Sequence, residues 1–334
     1  MGIITNKKVL VTGGAGFIGS NIIEKLLQQN NEVTCLDNFS TGKRENISGF
    51  LNHPGFILIE GDIRNLDECR TAVKDKEIVL HQAALGSVPR SINDPITSND
   101  VNVGGFLNML VAARDEGVKR LVYAASSSTY GDSEVMPKVE DKIGKPLSPY
   151  AITKYVDELY ADVFSKLYDM ELVGLRYFNV FGPRQDPNGA YAAVIPKFVS
   201  SLIARESPLV NGDGSFSRDF TYVKNVVQAN ELAAMVEDSK AVNTVYNVAC
   251  GERTSLNELV GHLKNLLSQY DQAIEKVEIK YGPERKGDVP HSLASVEKGE
   301  KLLGYNPTYK VGDGLKEAIH WYWTNLSVAA GSNS

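Results

Sequence analysis

The first 37 residues of the chain constrain its fold more than any other stretch. An apolar run at Lys8–Val11 leads into the glycine-rich turn TGGAGFIG at residues 12–19, and helical apolar spacing follows at Asn21–Gln29. A second apolar run, Glu32–Leu36, ends at Asp37. This order of strand, glycine turn, helix, strand and acid is that of a βαβ unit, and it predicts an α/β fold with a doubly wound parallel (Rossmann) sheet.

The glycines and the acid of this unit predict a dinucleotide site. Gly13 permits the tight turn, Gly16 lets the backbone approach a pyrophosphate, and Gly19 lets the helix pack closely on the sheet. The helix N-terminus then faces the phosphates. Asp37 stands where a carboxylate takes the adenosine ribose hydroxyls, which favours NAD over NADP. The alternative is a glycine-rich turn in some other kind of α/β protein.

The alternation of apolar runs and helical stretches continues along the chain. The predicted strands are Phe56–Glu60, Ile78–Gln82, Arg120–Ala125 and Leu172–Arg176, and a long helix is predicted at Thr97–Arg114. Ligands of such sheets bind at the C-terminal ends of the strands. We therefore expect Asp62, Ala83 and Ser126 to lie on one rim with the glycine turn.

A polar, turn-rich segment at residues 182–189 indicates a crossing from one domain to another. We therefore predict a dinucleotide-binding domain at residues 1–180 and a smaller, mixed α/β substrate domain over residues 181–330. An apolar strand predicted at Thr244–Val248 suggests that residues from about 218 to 249 rejoin the first domain.

A predicted helix starting near Ser148 carries the candidate for proton transfer. Ser148 suits the N-cap and Pro149 the first helical position. Tyr150 and Lys154 lie four residues apart and so share one helix face. The ammonium group and the positive helix end both favour the phenolate, whose pKa is ~10 in a free tyrosine. The alternative is an amphipathic helix with a lysine that reaches solvent.

The composition limits the classes of function. The chain has 334 residues, of which 43% are hydrophobic and 23% charged, as in an ordinary globular protein. A net charge of −6 argues against nucleic-acid and anionic-membrane binding. The sequence has neither a membrane-spanning apolar stretch nor a signal-peptide core, so we expect a cytoplasmic protein. The spacing of the three cysteines predicts no metal site.

Taken together, the motifs resemble one superfamily. The glycine turn, Gly61-Asp62, the serine-rich strand end, Tyr150-x-x-x-Lys154, RYFN at 176–179 and RDF at 218–220 are similar to those of the extended short-chain dehydrogenase/reductases. Within that superfamily the chain resembles the nucleotide-sugar 4-epimerases. It looks closest to the bacterial UDP-N-acetylhexosamine (UDP-GlcNAc/GalNAc) 4-epimerases of surface-polysaccharide pathways. The resemblance extends from about residue 7 to about residue 325.

The resemblance implies three catalytic residues. Tyr150 would remove the proton of the sugar 4-hydroxyl. Lys154 would hold the nicotinamide ribose and lower the pKa of the tyrosine, and Ser126 would hydrogen-bond the 4-oxygen. The expected reaction is NAD-dependent 4-epimerisation of a UDP-sugar through a transient 4-keto intermediate, with no metal. The family also implies a homodimer formed through the helices Thr97–Arg114 and Tyr150–Leu167.

The resemblance also implies binding residues for both ligands. The further cofactor residues are Gly13, Gly16, Phe17, Ile18, Asp37, Asn38, Thr41, Gly42, Asp62, Ile63, Gln82, Ala83, Ala84, Asn102 and Tyr177. The further substrate residues are Ser87, Ser127, Ser128, Asn179, Arg218, Arg285 and Ser292. Arg218 and Arg285 would clamp the diphosphate, although spacing alone allows two solvated surface charges. Asn102 could equally be a buried amide with protein partners.

Several alternatives stay open on the sequence. The dehydratases on this scaffold carry an Asp-Glu pair where this chain has Ser127 and Ser128, so the base for elimination is missing. A reductase that releases NAD(P)H and a non-enzymatic NAD-binding protein are further alternatives. Ser292 aligns where some 4-epimerases have a large tyrosine, and this favours N-acetylated substrates. UDP-glucose/galactose and UDP-hexosaminuronic acids remain alternatives.

Overall fold

The computed structural model of the chain describes residues 2–187, 193–284 and 290–331, with side chains as far as residue 326. The strands are β1 (Lys8–Thr12), β2 (Glu32–Asp37), β3 (Phe56–Glu60), β4 (Ile78–His81), β5 (Arg120–Ser126), β6 (Glu171–Tyr177), β7 (Val180–Phe181), β8 (Leu209–Asn211), β9 (Ser217–Arg218), β10 (Thr221–Tyr222), β11 (Thr244–Val248), β12 (Thr254–Ser255) and β13 (Lys280–Gly282). The α-helices are α1 (Phe17–Gln28), α2 (Leu66–Val73), α3 (Val88–Asn93), α4 (Pro95–Asn99), α5 (Gly105–Asp115), α6 (Pro149–Tyr168), α7 (Val194–Ile203), α8 (Val223–Met235), α9 (Leu256–Leu267), α10 (Glu297–Leu303) and α11 (Val311–Gly331).

The large sheet is parallel throughout. Its seven strands lie in the order β3-β2-β1-β4-β5-β6-β11. The chain winds outward from β1 in one direction and from β4 in the other, so the topology reverses between these two strands. The predicted doubly wound Rossmann sheet is therefore confirmed, and ligands of this fold bind at the reversal point.

Both faces of the sheet are covered, which explains why its strands are continuously apolar. Successive residues of β1 point to opposite faces. Val9 and Val11 pack in the core beneath α1 and α8, whereas Leu10 packs with Phe106 of α5 and other residues of α2, α5 and α6. All of these side chains are buried.

The predicted helix Thr97–Arg114 is interrupted in the structure. It comprises α4, a π-helical turn at Asp100–Gly104, and α5. The π turn carries Asn102, whose amide reaches both the backbone of Leu85 and the hydroxyl of Thr153. The π turn thus carries a buried amide with tertiary partners. Single π turns within α-helices are frequent at functional sites.

The C-terminal half has a second core and only short strands. The helices α7, α9 and α11 pack around Phe198, Leu263 and Tyr322, and β8/β13, β9/β12 and β7/β10 form two-stranded ladders. Residues 216–222 contribute two separate strands, β9 and β10, which pair with different partners. None of the described helices has the length and apolarity needed to cross a bilayer.

The chain returns to the large sheet before it ends. Strand β11 pairs with β6 in parallel register, from Thr244 opposite Val173 to Val248 opposite Tyr177. Helix α8, which precedes it, packs against α1 in the same core. The division of the chain into two domains at residue 180 stays a prediction.

Candidate active site

A cleft lies where β1, β2, β4 and β5 end, and we call it the glycine-turn cleft. Every predicted cofactor residue except Asn102 lines it, and so do Ser126 and Asn179. These residues come from segments far apart in sequence. They meet because the C-terminal ends of parallel strands share one edge of the sheet.

The glycine turn forms one wall of this cleft without side chains. Gly13 has a φ of +66°, and a Cβ added there would lie 2.7 Å from the backbone nitrogen of Ala83. A Cβ on Gly19 would collide with the carbonyl oxygen of Gly13. Helix α1 begins after Gly16 with no side-chain cap, and Phe17 and Ile18 of its first turn line the cleft. Free backbone N–H groups at a helix N-terminus favour an anionic ligand such as a diphosphate.

Two carboxylates, Asp37 and Asp62, also line this cleft. Asp37 accepts hydrogen bonds from Ala15 N at 2.9 Å and Phe39 N at 2.8 Å, which fix its orientation. Burial raises its pKa, and these two bonds oppose that rise. The Arg64 guanidinium hydrogen-bonds to Asp62 and lowers the pKa of that carboxyl to about 2. Both groups retain lone pairs that can accept hydroxyl donors.

Helix α6 begins as its sequence predicts. The Ser148 hydroxyl accepts a hydrogen bond from Ala151 N at 3.1 Å, and Pro149 occupies the first turn. The backbone N–H of Tyr150 donates to the hydroxyl of Ser91 at 2.9 Å, which ties the helix start to α3. The side chains of Tyr150 and Lys154 both line the glycine-turn cleft.

Lys154 is held by an ion pair within its own helix. Its ammonium lies 3.1 Å from Oδ2 of Asp157, and both side chains are almost fully buried. Burial opposes the charge on Lys154, but the Asp157 carboxylate, aided by Tyr150 and Glu158, outweighs it and raises the pKa of the ammonium. A phenol beside a stably charged ammonium can transfer a proton to or from a ligand in the cleft.

A second cleft adjoins the first, and we call it the serine cleft. The predicted substrate residues that line it are Ser127, Ser128, Asn179, Arg218 and Ser292. Asn179 lines both clefts, and the start of α6 contributes Tyr150 to one and Ala151 to the other. The Ser128 hydroxyl donates to Oγ of Ser126 at 2.8 Å, so the end of β5 connects the two clefts.

Three predicted site residues are placed differently by the structure, or not described. Ser87 caps α3 by accepting from Arg90 N at 3.1 Å, and Asn102 bonds to Leu85 and Thr153. Neither residue is among the described lining of the two clefts, and the polar atoms of both serve in helix capping or tertiary bonding. The buried-amide alternative for Asn102 is the one this geometry favours. Arg285 lies outside the described residues.

Arg218 enters the serine cleft from β9. Its Nη1 donates to the carbonyl oxygens of Ser217 at 3.0 Å and Pro290 at 3.1 Å. These bonds join the arginine to the segment that carries Ser292. An arginine on the wall of a cleft can bind a phosphate group with two parallel hydrogen bonds.

Sequence reasoning missed the role of Asp219, the residue next to Arg218 of the serine cleft. It is fully buried and accepts from Cys250 N at 2.8 Å, Gly251 N at 3.1 Å and Ala294 N at 3.3 Å. Burial raises its pKa to about 7, against these three bonds. It thus connects the end of β11 to the segment that carries Ser292. Its place within the RDF motif was the available signal.

Two predicted cofactor residues that line the glycine-turn cleft, Gln82 and Tyr177, are bonded to a third side chain, Asn230, which sequence reasoning missed. The Tyr177 hydroxyl donates to Gln82 at 2.9 Å and accepts from Asn230 at 2.9 Å, and Gln82 donates to Asn230 at 3.1 Å. Burial raises the pKa of Tyr177, so it stays a neutral phenol. Nothing in the helical pattern around Asn230 indicates that it bonds to two residues of the cleft.

Comparisons with known proteins agree with this geometry. A model of the NAD dependent epimerase/dehydratase family matches residues 9–249. Three solved structures are similar over nearly the whole chain. A UDP-N-acetylglucosamine 4-epimerase from Methanobrevibacter ruminantium is 40% identical, covers 96% of this chain and 99% of its own, and has a TM-score of 0.89. A UDP-glucose 4-epimerase from Thermotoga maritima is 36% identical, with coverages of 96% and 99% and a TM-score of 0.87. A UDP-glucose 4-epimerase from Thermus thermophilus, in complex with NAD, is 34% identical, with coverages of 94% and 98% and a TM-score of 0.83.

Proposed function

Because the chain belongs to the NAD dependent epimerase/dehydratase family, we propose that it is a UDP-sugar 4-epimerase that favours UDP-GlcNAc and UDP-GalNAc. The observation that carries the proposal is the position of Tyr150 and Lys154. They lie where a cleft suited to a dinucleotide adjoins a cleft lined by serines. The relative with 40% identity is a UDP-N-acetylglucosamine 4-epimerase, which supports the choice of substrate.

NAD is the cofactor of this family, and the glycine-turn cleft fits it. The free backbone N–H groups at the uncapped start of α1 suit the diphosphate, and Asp37 suits the adenosine ribose. We propose that the remaining residues of this cleft contact the rest of the cofactor, as far as Lys154 and Tyr177. When bound, NAD supplies the acceptor and donor of the hydride that C4 of the sugar loses and regains.

Tyr150 is the proposed base and acid. As a phenolate it takes the proton of the sugar 4-hydroxyl while C4 loses its hydride, which leaves a 4-keto sugar. Lys154 stabilises the phenolate, and the Ser126 hydroxyl hydrogen-bonds the 4-oxygen. Turning the keto sugar exposes its other face to the returning hydride, and Tyr150 then gives the proton back. The configuration at C4 is inverted, and NAD is again in its oxidised form.

The serine cleft supports both the reaction class and the preferred sugar. Ser127 and Ser128 stand where a dehydratase has its acidic pair, so no carboxylate lies at these two positions to take the C5 proton. Ser292 leaves room at the wall for an N-acetyl group, and Arg218, with Arg285 as a proposed second arginine, would bind the UDP diphosphate.

A second candidate substrate class is favoured by Lys138, which also lines the serine cleft. The residue is 6% exposed, and its ammonium donates to the carbonyl oxygen of Ser133. Burial lowers its pKa, because the ammonium is poorly solvated there. An anionic group on the sugar would pair with the Lys138 ammonium and offset its loss of solvation. UDP-hexosaminuronic acids therefore remain the second candidate.

We propose that the protein is a homodimer. One face of α6 is apolar and exposed, and its members are Ile152, Leu159, Val163 and Leu167. Such a stripe on a helix favours burial against a partner, and the family resemblance makes a second copy of the chain the expected one. Light scattering on the purified protein should give twice the mass of one chain.

The proposed function is tested by one assay panel. Purified protein is incubated with UDP-GlcNAc, UDP-glucose and a UDP-hexosaminuronic acid, and the products are separated by chromatography. We expect conversion of each accepted sugar to its 4-epimer without added cofactor and without net NADH, with UDP-GlcNAc the fastest. Stoichiometric accumulation of NADH would indicate a dehydrogenase and refute the proposal.

A further inference from the structure

The ion pair between Lys154 and Asp157 is buried, unlike most ion pairs on the surface of this protein. The two residues are three positions apart on α6, and their side chains are 4% and 2% exposed. A buried ammonium needs a compensating charge, since desolvation strongly disfavours the charged form of an isolated lysine. The groups that face Lys154 therefore decide whether it stays charged.

The other ionisable groups near Lys154 contribute less of that charge than Asp157 does. Glu158 lies on the same helix, but both of its oxygens accept from Arg176, at 2.8 and 2.7 Å. His81 faces Lys154 from β4, and burial, with the lysine charge, lowers its pKa to about 3, so it is neutral. Tyr150 is the remaining ionisable neighbour. Among the described carboxylates, Asp157 is the one within ion-pair distance of Lys154.

The hydrogen bonding of Asp157 is incomplete, which is not expected of a residue that only stabilises the fold. Its Oδ1 is buried and has no hydrogen-bond partner within the described residues. A buried carboxylate oxygen without a partner destabilises the fold, and buried ion pairs in general add little stability. The pairing with Lys154 is therefore better explained by the chemistry of the cleft than by folding.

We propose that Asp157 is a positioning residue for the epimerisation proposed above: its carboxylate keeps the Lys154 ammonium charged and directed into the cleft, where its field favours the Tyr150 phenolate. Replacement by asparagine preserves the shape and removes the charge. Burial then dominates, and Lys154 loses its proton at a lower pH. The positive field that assists proton transfer by Tyr150 is then lost, so the activity falls at alkaline pH.

The test compares Asp157→Asn with Asp162→Asn over pH 6–10. Asp162 lies on the same helix and pairs with Lys166 at 2.6 Å, but both members of that pair are exposed, which makes Asp162 a matched control. We expect the alkaline limb of kcat to move downward by about 1 pH unit or more in Asp157→Asn and to stay in place in Asp162→Asn. Asp157→Glu, which restores the charge, should return the limb toward its wild-type position.

A second readout does not depend on activity. With ¹³C-labelled lysine, the Cε signal of Lys154, assigned by its absence in Lys154→Met, should titrate at lower pH in Asp157→Asn than in the wild type. If Asp157→Asn does not fold, Asp157→Ser is measured in its place with the same expectation. Superimposable pH profiles and lysine titrations would overturn the proposal, even if the variant were less stable. A wild-type protein inactive on every UDP-sugar would refute the proposed function alone, because the lysine titration still tests Asp157.

Discussion

The glycine-turn cleft and the serine cleft adjoin each other but are built in different ways. The first is lined largely by residues at the C-terminal ends of strands of one parallel sheet, and its wall at Gly13 is backbone. The second combines the loop after β5, α3, the start of α6, and Arg218 and Ser292 from the C-terminal half. One cleft follows from sheet topology, whereas the other depends on how two halves of the chain meet.

This difference suggests how the two functions are divided. A cofactor shared by a whole family can be bound by backbone geometry that few substitutions alter. Substrate choice depends on side chains whose segments are joined by tertiary bonds, such as those that Asp219 makes to Cys250, Gly251 and Ala294. We therefore expect substitutions in the glycine turn of the first cleft to affect cofactor binding, and substitutions in the second cleft to change which sugar is used.

The largest effect is expected where the two clefts adjoin. Tyr150→Phe removes the proposed base and keeps the ring, so epimerisation should fall by about 10³-fold or more. NAD should remain bound, because the glycine turn is unchanged. Tyr168→Phe is the control, since Tyr168 lies at the exposed C-terminal end of the same helix. Near-normal turnover by Tyr150→Phe in the assay panel would refute the proposed mechanism.

The next effect concerns the glycine-turn cleft alone. Gly13→Ala should lose bound NAD and with it the activity, because the new Cβ would lie 2.7 Å from the backbone nitrogen of Ala83. Gly117→Ala is matched to it, as Gly117 has a φ of +71° with open space around it. Backbone strain of about 1–2 kcal/mol is therefore common to both variants.

The two alanine variants are compared by the NAD released from purified protein on denaturation and by thermal unfolding. Gly117→Ala should be less stable but should retain its cofactor. If both variants retained NAD equally, we would conclude that cofactor binding does not depend on the close approach of the glycine turn to the end of β4.

The sequence predicted the sheet and the first cleft well, and the physical reason is local. Strands, glycines and the position of Asp37 are patterns within short segments, and parallel topology then brings their ends together. Asn230 and Asp157 could not be predicted, because their roles depend on which tertiary neighbours they meet. Ser87 is the opposite case, because this predicted substrate residue caps helix α3 and does not line either cleft. The π turn at Asp100–Gly104 was missed for a similar reason, as its apolar spacing is that of an ordinary helix.

The smallest effect is expected in the serine cleft, as a change of preference. Ser292→Tyr should narrow the wall and lower kcat/KM for UDP-GlcNAc relative to UDP-glucose by roughly 10-fold, the effect of a modest steric change in a substrate pocket. Ser292→Ala, which keeps the space and removes only the hydroxyl, should retain the wild-type preference. NAD content should be unchanged in both variants, because Ser292 does not line the glycine-turn cleft. Equal losses on both sugars in Ser292→Tyr would mean that position 292 supports the cleft without selecting its ligand. Substrate preference would then have to arise elsewhere on the serine cleft, with Lys138 the next residue to replace.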